Sequence, residues 1–396
     1  MDLRIDRDYV TEVLRALVRI DSVNPSLVPG AAGEAEAARY VAGKLRAIGM
    51  EVAVHEPEPG RPSVVGTLRG SGGGRSLMLN AHYDTVGVDG MTDPFSAEIR
   101  GERLFGRGAY DMKGSLAACI GAAHALRTAG VCLAGDLLIA AVADEEHASL
   151  GTFDIASRYA VDGAIVTEPT SLRLCLAHKG FVWVEVVTHG RAAHGSRPDL
   201  GIDANLRMGR VLSRLEVLEG EVRARRSHPL VGPGSLHAAL LRGGTGLSTY
   251  AAECRMGIER RTIPGETVAQ VMAELNGLLD GLRAEDPSLD VSIEMLLARD
   301  PFEARPDSPL AATVSSCAAR LLGAAPRRVG ETPWMDSAIL AAAGVDTVVM
   351  GPHGAGAHAA EEWVDLDSVH SLAEILARTA LEFCAGPEET REAAKA

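Results

Sequence analysis

Short, wholly apolar segments alternate with amphipathic helices through the first 180 residues, and a histidine or carboxylate follows most of them. The segments 64–68, 77–80, 137–142 and 163–166 are too short for helices and carry almost no outward polar residues. Between and before them lie helical patterns: 7–20, with Val10, Val13, Leu14 and Leu17 at helical spacing; 34–48, ending at Gly49; and the small-residue stretch 115–129, ending at Gly130. Strands of this kind, alternating with helices, form a mostly parallel sheet covered on both faces. The predicted fold class is therefore α/β. In such sheets ligands collect at the carboxyl ends of strands. His82 follows 77–80, Glu145 follows 137–142, and Glu168 follows 163–166.

The texture changes near Lys179. Residues 181–188 alternate as a half-buried strand, followed by a helix at 204–218, strands at 235–241 and 253–260, a helix at 268–282 and a strand at 291–296. That order is a split βαβ, ferredoxin-like α+β unit. It predicts a first domain of residues 1–178, an inserted domain of 179–296, and a return to the first domain over 297–396. The return carries a helix at 309–322, a strand at 347–350 and a helix at 366–383, with a charged, frayed tail expected after Gly386.

The chain has 396 residues, long enough for two domains, and a formal net charge of −14. An acidic excess argues against a nucleic-acid or anionic-membrane partner, since both need a basic face. No segment approaches the ~20 apolar residues of a membrane span. Residues 1–20 read as a charged amphipathic helix rather than a signal peptide. A cytoplasmic protein is expected. The six cysteines form no C-x-x-C pair and are expected as free thiols.

The chemistry-bearing residues are His82-Tyr83-Asp84, Asp111-Met112-Lys113-Gly114, Glu145-Glu146, Glu168-Pro169 and, far downstream, His358. Each alone is a weak signal. Asp111 has the bland alternative of capping the helix 115–129, and Glu145-Glu146 that of a solvated pair. Together they offer imidazole and carboxylate with no thiolate, the ligand set of a two-metal hydrolytic site for Zn²⁺, Co²⁺ or Mn²⁺. Neighbours on extended backbone point in opposite directions, so Glu145 and Glu146 can face different partners. Asp84 can accept the second imidazole N–H of His82.

Ala81-His82-Tyr83-Asp84-Thr85-Val86, Phe105-Gly106-Arg107-Gly108 leading into Asp111-Met112-Lys113-Gly114, Asp144-Glu145-Glu146, the run 259–266 and the His358 segment resemble the dinuclear-zinc amidohydrolase and metallopeptidase superfamily. That superfamily includes acetylornithine deacetylase, succinyl-diaminopimelate desuccinylase, aminoacylase and carboxypeptidase G. The resemblance covers nearly the whole chain and is nearest to acetylornithine deacetylase. It implies two divalent metals, zinc by family expectation. Asp111 would bridge them, His82 and Glu168 would complete one site, Glu146 and His358 the other, and Glu145 would be the general base. It further implies a cis peptide after Asp111 and a homodimer formed through the inserted domain. His194 would polarise the scissile carbonyl in the partner's site, and Arg261 would bind a substrate carboxylate, with Lys179, Ser248 and Gly351 as further substrate contacts. The substrate would be an N-acyl amino acid, or alternatively a dipeptide or other short peptide. Departures at Gly87, Ser248 and Ala251, where many relatives carry proline, asparagine and proline, bear on specificity and leave the metal ligands intact.

Overall fold

A computed structural model describes residues 3–386; the charged tail expected to fray lies outside the described residues. Packing divides the chain into two compact units. One comprises the chain up to Leu176 with 304–329 and 335 onward; the other comprises 177–303 with 330–334.

The first unit is built on a mixed sheet in the order Glu51–His55, Ser63–Leu68, Leu137–Val142, Leu77–His82, Gly163–Val166, Asp346–Val349, Leu174–His178. The four strands from Leu137–Val142 to Asp346–Val349 run parallel, and the strands outside them pair antiparallel. The parallel strands are buried throughout their length, as crossover helices on both faces require. Because they share a direction, the segments leaving Leu77–His82, Leu137–Val142 and Gly163–Val166 emerge at one edge of the sheet.

The helix Gly114–Thr128 is almost wholly buried and made mostly of small residues. Gly121 lets the helix Arg7–Arg19 approach it closely, since a Cβ there would lie 2.4 Å from Val10 Cγ2. Arg7–Arg19 starts at Asp6, whose carboxylate accepts the Tyr9 N–H, and buries Val10, Val13, Leu14, Leu17 and Val18 along one stripe. A second, four-stranded antiparallel sheet has the order Gly354–Ala355, Trp363–Asp365, Arg103–Phe105, Glu98–Arg100. Its strands of two and three residues are too short to leave a periodic signal in the sequence.

The second unit has the strand order Ser235–Gly243, Glu253–Thr262, Gly180–His189, Val291–Arg299, all antiparallel, with helices Ala204–Ala224 and Val268–Glu285. Val182, Val184 and Val186 join Met208, Val211, Leu215, Leu275 and Leu279 in its core. The unit is longer than 179–296, and the chain enters it twice. Its second entry, Gly330–Trp334, has a packing cause. Trp334 lies edge-on to His178 and Phe181, and Gly330 sits against Leu230 and Val231, where a Cβ would come within 2.6 Å. No helix among the described residues is long and apolar enough to cross a membrane, and all six cysteines are free.

Candidate metal centre

At the carboxyl edge of the parallel strands, His82 ends its strand and the turn 144–148 follows Leu137–Val142. Glu168 lies two residues beyond Gly163–Val166. Asp111 enters from the segment before Gly114–Thr128, and its peptide bond to Met112 is cis. The N-cap position of that helix is Lys113, with no side-chain hydrogen bond, so Asp111 is not spent as a capping residue. The two oxygens of Asp111 divide between two histidines: Oδ1 lies 3.2 Å from His82 Nε2, and Oδ2 lies 3.5 Å from His358 Nε2. On the His82 side, Glu168 Oε1 is 3.5 Å and Glu145 Oε2 3.8 Å from His82 Nε2. On the other side, Glu146 Oε2 is 3.1 Å from His358 Nε2. His82, Glu145 and Glu168 can converge on one cation, as can His82, Asp111 and Glu146.

The electrostatics favour cations here. Four carboxylates share two imidazoles, so the acids outnumber the bases even with both rings protonated. Burial pushes Glu145 well above the usual carboxylate range, and the Glu168 charge adds to it. Burial likewise raises Glu168 and Glu146, and lifts Asp336 to about 6. Burial would raise Asp111 as well, but its hydrogen bonds to His358 and His82 outweigh it and hold the group low. The hydrogen bonds to Asp111 and Glu146 carry His358 up to about 10. An all-oxygen-and-nitrogen donor set with this excess of carboxylate fits two divalent ions.

Two sequence expectations are corrected by the local structure. Glu145 and Glu146 are not on extended backbone. They sit in a turn after Asp144, whose φ is +70°, and the Asp144 carbonyl accepts the N–H groups of His147 and Ala148. The turn, rather than strand alternation, sends one glutamate toward His82 and the other toward His358. Nor does the Asp84 carboxylate receive the second N–H of His82. His82 Nδ1 lies 3.0 Å from the Asp84 backbone carbonyl and 3.6 Å from the carboxylate. The Asp84 carboxylate instead accepts the backbone N–H groups of Glu145 and Glu146, at 3.1 and 3.2 Å, and so holds the turn.

Behind that turn is a buried charge network. Asn24 Nδ2 donates to Asp84 Oδ2 at 2.8 Å and to Asp144 Oδ1 at 3.1 Å. Arg61 donates to Asp144 at 2.6 Å, to both oxygens of Glu34, to Ser26 and to Asn24. Glu34, Asp84 and Asp144 are fully buried; one guanidinium serves Glu34 and Asp144, and Asn24 links Asp84 to them.

The sequence pattern of peptidase family M20/M25/M40 matches residues 78–382. The chain belongs to this family. It is 28% identical over 388 residues to acetylornithine deacetylase of Proteus mirabilis, covering 94% of this chain and 96% of that enzyme. It is 30% identical over 266 residues to N-formyl-4-amino-5-aminomethyl-2-methylpyrimidine deformylase of Bacillus subtilis, covering 62% of each; this match spans under two thirds of that enzyme. Among solved structures, a dinuclear metal-binding M20 peptidase of Bacillus subtilis superposes with a TM-score of 0.73 at 16% identity, over 95% of this chain and 97% of that one. This M20 chain is a hydrolase of amide bonds, with the mixed α/β architecture of the family.

The remaining expected site residues of this M20 chain lie in the second unit, apart from Gly351. His194 is exposed, in a loop bridged to Thr249, and the Gly195 N–H donates to the Ser248 carbonyl, so His194 and Ser248 are neighbours. His194 Nδ1 accepts the Ser196 N–H at 3.2 Å and lies 2.8 Å from Ser196 Oγ. Arg261 pairs with Glu259 at 3.1 Å and lies over the Phe181 ring. Arg260 is buried and paired with Glu266, a structural arrangement. Lys179 donates to the Pro233 carbonyl; burial lowers its pKa, and the charges of Arg261 and Arg260 lower it further. Gly351, expected as a substrate contact, is instead buried against the Glu168 segment: a Cβ there would lie 2.2 Å from the Glu168 carbonyl oxygen. It is a glycine because two backbones meet.

Sequence reasoning gives no role to Asn24, Arg61, Asp144, Arg107 or Glu362. Asp144 and Arg107 stand inside recognisable motifs, which is a faint signal. Arg61 and Asn24 stand beside prolines in loops and carry none.

Proposed function

We propose that the protein is a two-metal deacylase of N-acyl amino acids. Asp111 would be held in common by the two metals, His82 and Glu168 would complete one site, and Glu146 and His358 would complete the other. The observation that carries this reading is the division of the two Asp111 oxygens between His82 and His358. The near full-length similarity to an acetylornithine deacetylase supports the deacylase assignment over a peptidase.

When bound, such a metal pair lowers the pKa of a water molecule and polarises the amide carbonyl. The protein's own groups then do the following. Glu145 takes the proton of the attacking water and delivers it to the leaving nitrogen as the C–N bond breaks. A general base of this kind is a buried carboxylate held beside the attacking water. The Asp84 carboxylate keeps Glu145 in register through its backbone N–H. His194 stabilises the developing oxyanion in the site of a second subunit. Arg261 exchanges Glu259 for the substrate carboxylate, a planar bidentate match.

Glu145 is close enough to His82 and Glu168 to be a ligand, so its substitution is the decisive experiment. Glu145→Ala should keep two equivalents of zinc and lose about 10²–10⁴-fold in turnover. Loss of a metal ion with the variant would make Glu145 a ligand and overturn the assignment. Hydrolysis of a panel of N-acetyl, N-formyl and N-succinyl amino acids against dipeptides then separates deacylase from peptidase.

A further inference from the structure

Glu362 lies four residues beyond His358, and its side chain is completely buried. One carboxylate there collects four donors. Oε1 accepts the backbone N–H of Tyr110 at 2.9 Å and of Asp111 at 3.0 Å. Oε2 accepts the Gly108 N–H at 3.1 Å and Arg107 Nη1 at 2.7 Å. Its backbone carbonyl accepts the Gly106 N–H as well. Nearly the whole loop 106–111 is thus hung on one residue of the segment that carries His358. Arg107 completes the link in the other direction. Its Nη2 donates to the carbonyl of Ala359, the residue after His358, and its Nε to Gly87. On either side, the strands Arg103–Phe105 and Trp363–Asp365 pair directly.

We propose that the Arg107–Glu362 pair is a positioning device that sets the separation of Asp111 from His358, and so the affinity of the metal site those two share with Glu146. The proposal rests on the two-metal reading. The physical argument is that a carboxylate has about four acceptor positions, and here every one is filled by a donor fixed to the loop or to Arg107. The group cannot rotate without stranding buried N–H groups, each costly to leave unpaired. The Asp111 backbone is therefore referenced to the His358 segment, not to its own helix, which it does not cap. The other site is placed differently. His82 is fixed by its strand and by the Asp84 carbonyl, and Glu168 follows a separate strand. Asp111 is common to both sites, so a fault at Glu362 should weaken the His358 site most, and less the site that His82 and Glu168 hold in place.

The test is calorimetric titration of the metal-free, full-length protein with Zn²⁺. Wild type should bind two ions. Glu362→Gln keeps the volume but turns an amide NH₂ toward either the two N–H groups of Tyr110 and Asp111 or the donors of Gly108 and Arg107. It should weaken one site about 10–100-fold, the usual effect of removing a group that orients a metal ligand. The surviving site should match the one left in His358→Ala. Arg107→Lys, which keeps the charge but loses the reach to Ala359 and Gly87, serves as a second and milder variant. It should shift the same site in the same direction. Equal weakening of both sites, or no change at either in two variants that fold, overturns the proposal and leaves the two-metal reading standing. Binding of fewer than two ions by wild type overturns that reading and the proposal with it.

Discussion

Arg61→Met removes the only guanidinium of the network behind the Glu145–Glu146 turn. The side chain is 7% exposed, and the two acids it pairs with, Glu34 and Asp144, are 0% exposed. The variant keeps most of the apolar volume but leaves both carboxylates buried without their cation. Breaking a buried pair from one side costs about 3–5 kcal/mol, because the remaining charge is uncompensated. The cost should depend on pH. In wild type, burial raises the pKa of Glu34, and the hydrogen bond from Arg61 opposes that rise. Without Arg61, burial and the neighbouring Asp84 charge both act upward. A carboxyl whose folded pKa exceeds its unfolded value contributes stability that is present at low pH and lost as pH rises through the folded pKa. The deficit should therefore be smallest at about pH 5 and reach its full about 3–5 kcal/mol by about pH 8. Urea unfolding followed by far-ultraviolet circular dichroism at the two pH values measures it. A deficit under about 1 kcal/mol at the higher pH, or an equal one at both, would refute the reasoning.

Gly351→Ala drives a Cβ into the Glu168 carbonyl; it should cost about 1–3 kcal/mol by overpacking and weaken zinc binding, checked by thermal melts and titration. Arg261→Met should raise KM by about 10–100-fold for substrates bearing a free carboxylate, from loss of a charge-assisted hydrogen bond. The same loss on carboxamide analogues would dissociate Arg261 from that carboxylate. Mixed Glu145→Ala and His194→Ala subunits, each inactive alone, should regain activity on exchange through hybrid dimers with one complete site. No recovery after proven exchange would mean that His194 acts within its own chain or not at all.

The alternation of apolar strands and helices was legible because each element is specified by its own residues. Strand burial follows from runs such as Leu137–Val142, and helix faces from spacings such as Val10, Val13, Leu14 and Leu17. Topology then brings the strand ends together, so the sequence places His82 and Glu168 at one edge of the sheet, while their proposed roles come from the family resemblance. The partners of the buried carboxylates are another matter. That the Asp84 carboxylate holds the Glu145 and Glu146 backbone rather than the His82 ring depends on a turn initiated by Asp144 at positive φ. That Glu362 reads the Asp111 backbone across some 250 residues of chain, and that Arg61 meets Asp144 across 83, depends on which loops the packed sheet and helices bring into contact. Periodicity encodes which face of an element is buried, a local property. A hydrogen bond between two loops depends on distances set by everything packed beneath them, and only the folded structure decides those.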